Sequence, residues 1–336
     1  MAMMTEARLT TRTRRAARAA HRAAYATNGI DLVDGPSLSD AVSPTAVSPT
    51  AVRAVLRNAG VREVANDVTY FIDDARARAA IRGRWIALLR EPRRLNPGDI
   101  LRLALDARDA GDVDEAIWRA FLAAYTGRTS ASTPEEDAAA GRLLYGFWTR
   151  PRWTWARVSA RPDIVEAWLH DRAAKLATLS FGARRRHEPT GPAVVYTALL
   201  GFVVWVETRG EGSPAAAFGG ADPAADPAAR FAALYRTMDI PRLGPAAALD
   251  LLTLIGDLGI LPIAPDSCHV GAIAAARQGA TRLLDARDTA ALARACDALA
   301  CAFDVPFPSM LDALVVYGGR RRWPSSWRAR RTDGDR

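Results

Sequence analysis

Apolar residues recur along most of this chain at the three- and four-residue spacing of amphipathic helices, and strand-like alternation is scarce. Turns containing Pro and Gly separate the helical stretches. In the first two thirds of the chain we predict helices over 51–58, 68–89, 97–107, 113–126, 134–148, 161–179 and 192–207. In the remainder we predict helices over 231–238, 246–255, 272–284, 289–303 and 309–317. The pattern therefore predicts an all-α protein.

Breaks in this pattern divide the chain into five parts. They are a basic disordered arm with a Ser/Pro linker over 1–50, a helical lobe over 51–209, a flexible insert over 210–229, a second helical lobe over 230–319 and a basic tail over 320–336. The linker contains the segment AVSPT twice, and we expect Pro44 and Pro49 to oppose a helix there. We therefore expect the folded part to begin near Ala51 and to consist of two helical lobes.

The formal net charge of +8 is concentrated at the two ends of the chain. Residues 1–30 hold six arginines and one glutamate, and residues 318–336 hold seven arginines and two aspartates, so the part between them is slightly acidic. A basic surplus is typical of nucleic-acid binding, but in terminal segments it is also typical of a solubilising arm. If the body of the protein binds DNA, we expect it to do so through local patches.

Several classes of protein are not supported by the sequence. Three cysteines are too few for a disulfide framework or for a four-cysteine iron–sulfur cluster. The longest apolar run, 193–206, is shorter than the roughly 18 residues of a membrane span, and no apolar segment of a secretory signal follows the basic N-terminus. Walker, dinucleotide-binding and zinc motifs are absent from the sequence. We therefore expect a cytoplasmic protein with no cofactor, no metal and no membrane contact.

The segment 240–269 contains the strongest candidate chemistry. A Pro/Gly turn over 241–245 precedes an apolar stretch of helix length, and a loop then leads to Asp266, which follows Gly244 by 22 residues. This order resembles the helix-hairpin-helix DNA glycosylases, in which a hairpin of the form L-P-x-h-G-x-x-x-A grips DNA phosphates and a following loop carries a catalytic Asp. The resemblance implies a helix-hairpin-helix DNA glycosylase-like helical architecture, with DNA as the partner.

A longer set of matching residues narrows this resemblance to one family. The order L-G-x-x-A-x-x-D-L-L-x-x-x-G-x-L-G-I, then I-x-P-D-S-C, then two G-A pairs is similar to the alpha-glutamyl/putrescinyl thymine pyrophosphorylases of clade 3. The matching residues are Leu243, Gly244, Ala247, Asp250, Leu251, Leu252, Gly256, Leu258, Gly259, Ile260, Ile263, Pro265, Asp266, Ser267, Cys268, Gly271, Ala272, Gly279, Ala280, Arg282, Leu283 and Leu284. The family resemblance implies displacement of pyrophosphate by an amine on a modified thymine in DNA, and the glycosylase resemblance implies N-glycosidic cleavage of an unusual base.

Three residues are candidates for catalysis. Asp266 could stabilise an oxocarbenium-like centre, activate water or orient an amine, and its alternative role is that of a helix N-cap. His269 could shuttle a proton or bond a phosphate, or could be a polar residue in the first turn of a helix. Asp99 belongs to a turn, 96–99, that resembles a pocket-entering turn in related clades and has the pattern of a helix start.

DNA contacts are expected where backbone N–H groups or arginines meet phosphates. The start of the helix after the hairpin offers such N–H groups, and Arg78 and Arg82 share one helix face. A solvated helix face or an ordinary packing turn would explain the same residues without DNA. The candidate DNA contacts are Arg242, Gly244, Ala246, Arg78, Arg82 and Arg185.

Ala246 stands where strand-cleaving glycosylases have a Schiff-base lysine, so we expect no lysine-dependent strand cleavage. A non-catalytic DNA-binding module and a helical scaffold remain the alternatives to an enzyme.

Overall fold

A computed structural model of the chain describes residues 47–63, 68–89, 99–127, 141–146, 152–177, 191–219 and 226–319. All of these residues belong to one compact unit, Thr45–Arg336. The predicted basic arm up to residue 46, the predicted tail over 320–336 and the candidate DNA contact Arg185 lie outside the described residues.

Helices account for nearly all regular structure in the described ranges. The α-helices are α1 Pro49–Asn58, α2 Val68–Leu89, α3 Ile100–Asp109, α4 Val113–Thr126, α5 Trp155–Ala160, α6 Pro162–Asp171, α7 Ala173–Leu176, α8 Pro192–Gly210, α9 Pro214–Gly219, α10 Pro227–Thr237, α11 Pro245–Asp257, α12 Ala274–Leu283, α13 Thr289–Ala302 and α14 Phe307–Gly319. Residues 141–144 are also helical, and Val270–Ala272 form a short 3-10 helix. The described part of the chain contains an isolated β-bridge between Glu63 and Leu284 but no β-strand. The predicted all-α class is confirmed.

Proline starts several of these helices, and this changes one expected boundary. Pro49, expected to oppose a helix, is the first residue of α1. The first N–H of a helix has no partner within the helix, so a proline costs little at that position. Val47 is already buried, and the folded part therefore begins before Ala51.

Two other segments differ from their predicted form. The helix predicted over 161–179 is two helices, α6 and α7, separated at Arg172. Within the segment predicted as a flexible insert, Pro214–Gly219 form α9, whose Phe218 is fully buried. Asp114 of α4 holds the start of α9 by accepting hydrogen bonds from Ser213 Oγ (2.9 Å) and Ala215 N (2.7 Å). The division into two lobes around this segment remains a prediction.

Aromatic side chains of α4, α5 and α8 form the centre of the core. Trp118, Phe121 and Phe202 are fully buried, and the rings of Phe121 and Phe202 stack with centroids 4.1 Å apart. Helix α8 spans 19 residues and is apolar enough to cross a membrane by length and composition alone, although core helices of soluble proteins meet the same criterion. Nearly half of its apolar window is buried inside the protein, including Val195 and Val206.

A buried polar network ties α4 to the segments that follow it. The Glu115 carboxylate accepts hydrogen bonds from Tyr145 Oη (2.7 Å), Arg119 Nε (2.8 Å) and the backbone N–H of Trp155 (2.6 Å). Burial, with the negative charge of Glu115 as the next cause, raises the pKa of Tyr145 to about 12. Glu115 is thus paired in the core, as a buried carboxylate must be.

Candidate active site

A tight turn leads into helix α11. The backbone N–H of Leu243 donates to the carbonyl of Ile240 (3.0 Å), and Arg242, the third residue of the turn, has a φ of +64°. Because Pro241 fixes a negative φ at the second position, a positive φ at the third position indicates a type II turn, which usually has glycine there. Arg242 therefore adopts a backbone conformation that glycine usually adopts, and its side chain is exposed.

Helix α11 begins with an open N-terminus. Gly244 is the N-cap residue with a φ of −66°, and a Cβ atom added there would meet nothing within 4 Å. Ala246 is half-buried, and the N–H groups of Ala247 and Ala248 donate to the Gly244 carbonyl. Pro245 has no N–H, so this helix start offers fewer free donors than one without proline.

The loop after α11 is held by both neighbouring helices. Gly256 lies so close to the carbonyl of Ile263 that a Cβ atom at Gly256 would overlap the carbonyl oxygen. On the other side, the N–H of Ala264 donates to the Pro227 carbonyl (3.2 Å), and Arg230 Nη1 of α10 donates to the Pro262 carbonyl (3.1 Å). These contacts fix the position at which the chain reaches Asp266.

Asp266 and His269 form a hydrogen-bonded pair at the end of this loop. His269 Nε2 lies 2.8 Å from Asp266 Oδ1, and the side chains are 13% (His269) and 32% (Asp266) exposed. The pair is therefore accessible from solvent but packed against the protein. A carboxylate paired with an imidazole in this way can fix the orientation of the ring and stabilise the imidazolium that forms when the ring takes up a proton.

The alternative role of Asp266 as a helix N-cap is wrong. Asp266 lies in a bend, and the next helix, Val270–Ala272, has His269 as its N-cap residue without a side-chain cap bond. Helix α12 has Ile273 as its N-cap residue. His269 is accordingly not within the first turn of a helix, and Asp266 is bonded to its ring instead.

Two aromatic residues of α10 pack against the His269 ring. The centroid of the His269 ring lies 5.4 Å from that of Phe231 and 4.4 Å from that of Tyr235. His269 has a φ of +45°, the left-handed region that a non-glycine residue adopts only when its surroundings hold it there. Burial, followed by the negative charge of Asp266, raises the pKa of Tyr235.

Cys268 lies between Asp266 and His269 in the sequence and packs into the core. Its side chain is buried, and its backbone N–H donates to Asp297 Oδ1 of α13 (2.7 Å). Burial, with smaller effects of Cys296 and Asp297, raises the pKa of the Cys268 thiol well above its usual range. The reactive thiolate is therefore disfavoured, as expected for a small buried residue.

The third candidate acid, Asp99, is the N-cap residue of α3. Its carboxylate accepts a hydrogen bond from the N–H of Leu101 (2.9 Å), and the residue is buried. The helix begins at Ile100, directly after Asp99, and the rest of the predicted turn, 96–98, lies outside the described residues. This contact gives Asp99 a local structural role.

Arg78 and Arg82, two candidate DNA contacts, are engaged within the protein. Arg78 pairs with Asp74 one turn earlier on α2 (Nε–Oδ2, 2.8 Å). Arg82 pairs with Asp257 at the end of α11 and lies 3.9 Å from the Asp312 carboxylate of α14. Arg82 therefore connects three helices. The exposed residues of the turn before α11, Arg242 and Gly244, are the more accessible of these DNA-contact candidates.

Sequence reasoning did not identify the aromatic neighbours of His269. Phe231 and Tyr235 are four residues apart on α10, a spacing that places both on one helix face. No local signal connects them with His269, which lies more than 30 residues later in the sequence. In the part of the chain that the structure describes, no group of three or more His, Cys, Asp or Glu side chains could hold a metal ion.

Comparison with known proteins gives one family. The family model of the alpha-glutamyl/putrescinyl thymine pyrophosphorylases, clade 3, matches residues 81–314, more than two thirds of the chain. The matched range includes α11, the loop after it and the Asp266–His269 pair. No curated protein and no solved structure matches the chain.

Proposed function

Because the chain belongs to the alpha-glutamyl/putrescinyl thymine pyrophosphorylase family, clade 3, we propose that it modifies thymine bases in DNA by amine-for-pyrophosphate displacement. The substrate is a thymine whose 5-methyl carbon carries a pyrophosphate through oxygen. An amine attacks this carbon, the new C–N bond replaces the C–O bond, and pyrophosphate leaves with the bonding electrons. The attacking nitrogen then gives up a proton.

The Asp266–His269 pair is the observation that supports this chemistry most directly. The displacement requires a proton acceptor, and a carboxylate 2.8 Å from an imidazole nitrogen can supply one. Both side chains are partly exposed and can meet a substrate. The pair lies within the residues matched by the family.

Contact with DNA is proposed for the turn before α11. Arg242 and Gly244 are exposed there, and the open space beside Gly244 leaves room for a phosphate group. A base must leave the helical stack before a protein can act on its 5-substituent, so we expect the base to be flipped towards Asp266. This arrangement is the one implied by the resemblance to helix-hairpin-helix glycosylases.

The order of turn, helix and Asp also favours a second candidate function, N-glycosidic cleavage of an unusual base. Arg242 has the positive φ that glycine usually adopts in such a turn, and the loop after α11 ends at Asp266, whose carboxylate could stabilise an oxocarbenium-like centre or activate water. Ala246 leaves the hairpin without a lysine nucleophile, so a cleaved base would leave an intact abasic strand.

The test uses the full-length protein with DNA duplexes that differ in a single base. The bases are thymine, 5-hydroxymethyluracil and its pyrophosphorylated ester, each incubated with and without putrescine or glutamate. Displacement predicts amine-dependent release of pyrophosphate from the ester alone, and a new base mass after digestion to nucleosides. Release of a free base with formation of abasic sites would favour the second candidate function.

Variants connect the activity to the site. Asp266→Asn should abolish turnover while the unfolding temperature changes little, because the Asp266 side chain is partly exposed and caps no helix. Asp171→Asn, at an exposed carboxylate at the end of α6, is the matched control and should retain activity. Full activity of a folded Asp266→Asn protein would exclude this site. Binding of DNA without any turnover would favour a non-catalytic module.

A further inference from the structure

The His269 ring has two nitrogen atoms in different surroundings. Nε2 is bonded to Asp266, and no other described residue forms a hydrogen bond with the ring. We propose that His269 accepts the proton of the reaction through Nδ1, and that Asp266 and Tyr235 are positioning residues that hold the ring. This inference rests on the proposed displacement and divides its chemistry between the two members of the pair.

The surroundings hold the ring in one orientation. Phe231 is fully buried in the core, and its ring and that of Tyr235 contact the imidazole from α10. The backbone of His269 is in the left-handed region, with a φ of +45°, and its ring contacts both of these aromatic rings. Helix α10 is itself bonded to the loop through Pro227 and Arg230. The His269 ring is thus positioned before any substrate binds.

The hydrogen bond to Asp266 decides which nitrogen can accept a proton. A neutral imidazole carries one proton, and a carboxylate 2.8 Å from Nε2 favours the proton on that atom. Nδ1 then has a free lone pair. When the amine attacks the substrate carbon, the C–N bond forms, the C–O bond breaks and the nitrogen becomes an ammonium, whose proton passes to Nδ1. The negative charge of Asp266 stabilises the imidazolium that results.

The other titratable groups near the pair do not compete for this role. On α10, the raised pKa of Tyr235 keeps its phenol protonated. On α13, Asp297 accepts a hydrogen bond from the backbone N–H of Cys268, and the Cys268 thiol is buried with a raised pKa. Within the described structure, Asp266 is the group that bonds to the His269 ring, so the proton transfer of this site is expected to depend on these two residues.

The first test does not depend on activity. Long-range ¹H–¹⁵N correlation spectra of the full-length protein, labelled at histidine, distinguish the two neutral tautomers of His269, and His269→Asn identifies its signals. We expect the proton on Nε2 in the native protein and an increased fraction on Nδ1 in Asp266→Asn, because an amide can donate to Nε2. A native ring with its proton on Nδ1 would overturn the proposal.

The second test measures pyrophosphate release as a function of pH. We expect His269→Asn to lower kcat by about 10²–10⁴-fold and to change the dependence of kcat on pH, because the variant lacks the proton acceptor. The control is His170→Asn, at an exposed histidine of α6, which should keep the native rate and pH profile. A His269→Asn protein with native kcat, beside an inactive Asp266→Asn protein, would show that Asp266 acts directly and would refute the assignment.

The positioning role of Tyr235 is tested by comparing a variant that removes its ring with one that keeps the ring. Tyr235→Ala removes the ring that contacts the imidazole at 4.4 Å, so we expect a lower kcat with little change in KM for the amine. Tyr235→Phe should restore most of the lost turnover because the ring contact is kept. Equal loss in both variants would overturn the positioning role. A native protein that releases no pyrophosphate would instead contradict the proposed function. The tautomer of His269 would still show whether the proton is held on Nε2 by Asp266.

Discussion

Gly256→Ala would test whether the close contact between α11 and its loop positions the active site. A Cβ atom at residue 256 would overlap the carbonyl oxygen of Ile263 and approach its carbonyl carbon to 3.1 Å. A backbone carbonyl cannot rotate away as a flexible side chain does, so the loop must move. Overpacking of this kind costs about 1–3 kcal/mol, and alanine in place of glycine within a helix returns about 1 kcal/mol. We expect a net loss of about 0–2 kcal/mol in the free energy of unfolding.

Urea unfolding followed by circular dichroism measures this loss, and Gly83→Ala is the matched control. Gly83 also lies within a helix, α2, but a Cβ atom there meets nothing within 4 Å. The control should therefore gain about 0.5–1 kcal/mol. Displacing the loop by about 1 Å also moves Asp266, and an error of that size in a reacting group lowers turnover about 100-fold. A Gly256→Ala protein as stable and active as Gly83→Ala would refute the reasoning.

Three further predictions follow from individual contacts. Gly244→Asp should leave the free energy of unfolding unchanged or slightly higher, since Asp is a favourable N-cap residue at this open position. The affinity for duplex DNA at low salt should fall, and an unchanged Kd would show that this turn does not contact DNA. Arg82→Met should lower the free energy of unfolding by about 1–3 kcal/mol in urea titrations, because the hydrogen bond between Arg82 and Asp257 is lost. A loss of DNA affinity without a loss of stability would contradict this structural role. The pKa of Tyr145 is raised from 10.0 to about 12 by burial and then by Glu115, so its contribution to stability is complete below pH 10 and decreases as the pH rises towards 12. Tyr145→Phe should lessen this pH dependence of the free energy of unfolding, and an identical pH profile in the variant would argue against the assignment.

The sequence alone predicts those features of the fold that depend on residues close together in the chain. Helices α2 and α4 match their predicted bounds because an apolar stripe at helical spacing and nearby Gly or Pro residues determine where a helix lies. Pro49 was misjudged because a proline opposes the interior of a helix but suits its first position, and the sequence does not distinguish these positions without the cap geometry.

For the candidate site, too, some features could be predicted from the sequence and others required the structure. The sequence identified Asp266 and His269 through a motif within one short segment, and the family match covers that segment. It could not decide between a catalytic role and a helix cap for Asp266, because that depends on whether a helix starts directly after Asp266 or only after His269. Asp99 was ambiguous for the same reason, and there the structure shows the cap.

The sequence by itself determined the all-α class, most helix positions, the family and the segment that contains the candidate acid. Only the tertiary structure showed that Tyr235 contacts His269, that Arg82 connects α2 with α11 and α14, and that Gly256 must be small. Each of these contacts joins residues whose positions depend on how several helices pack, and packing is a property of the whole core that no local pattern of residues contains.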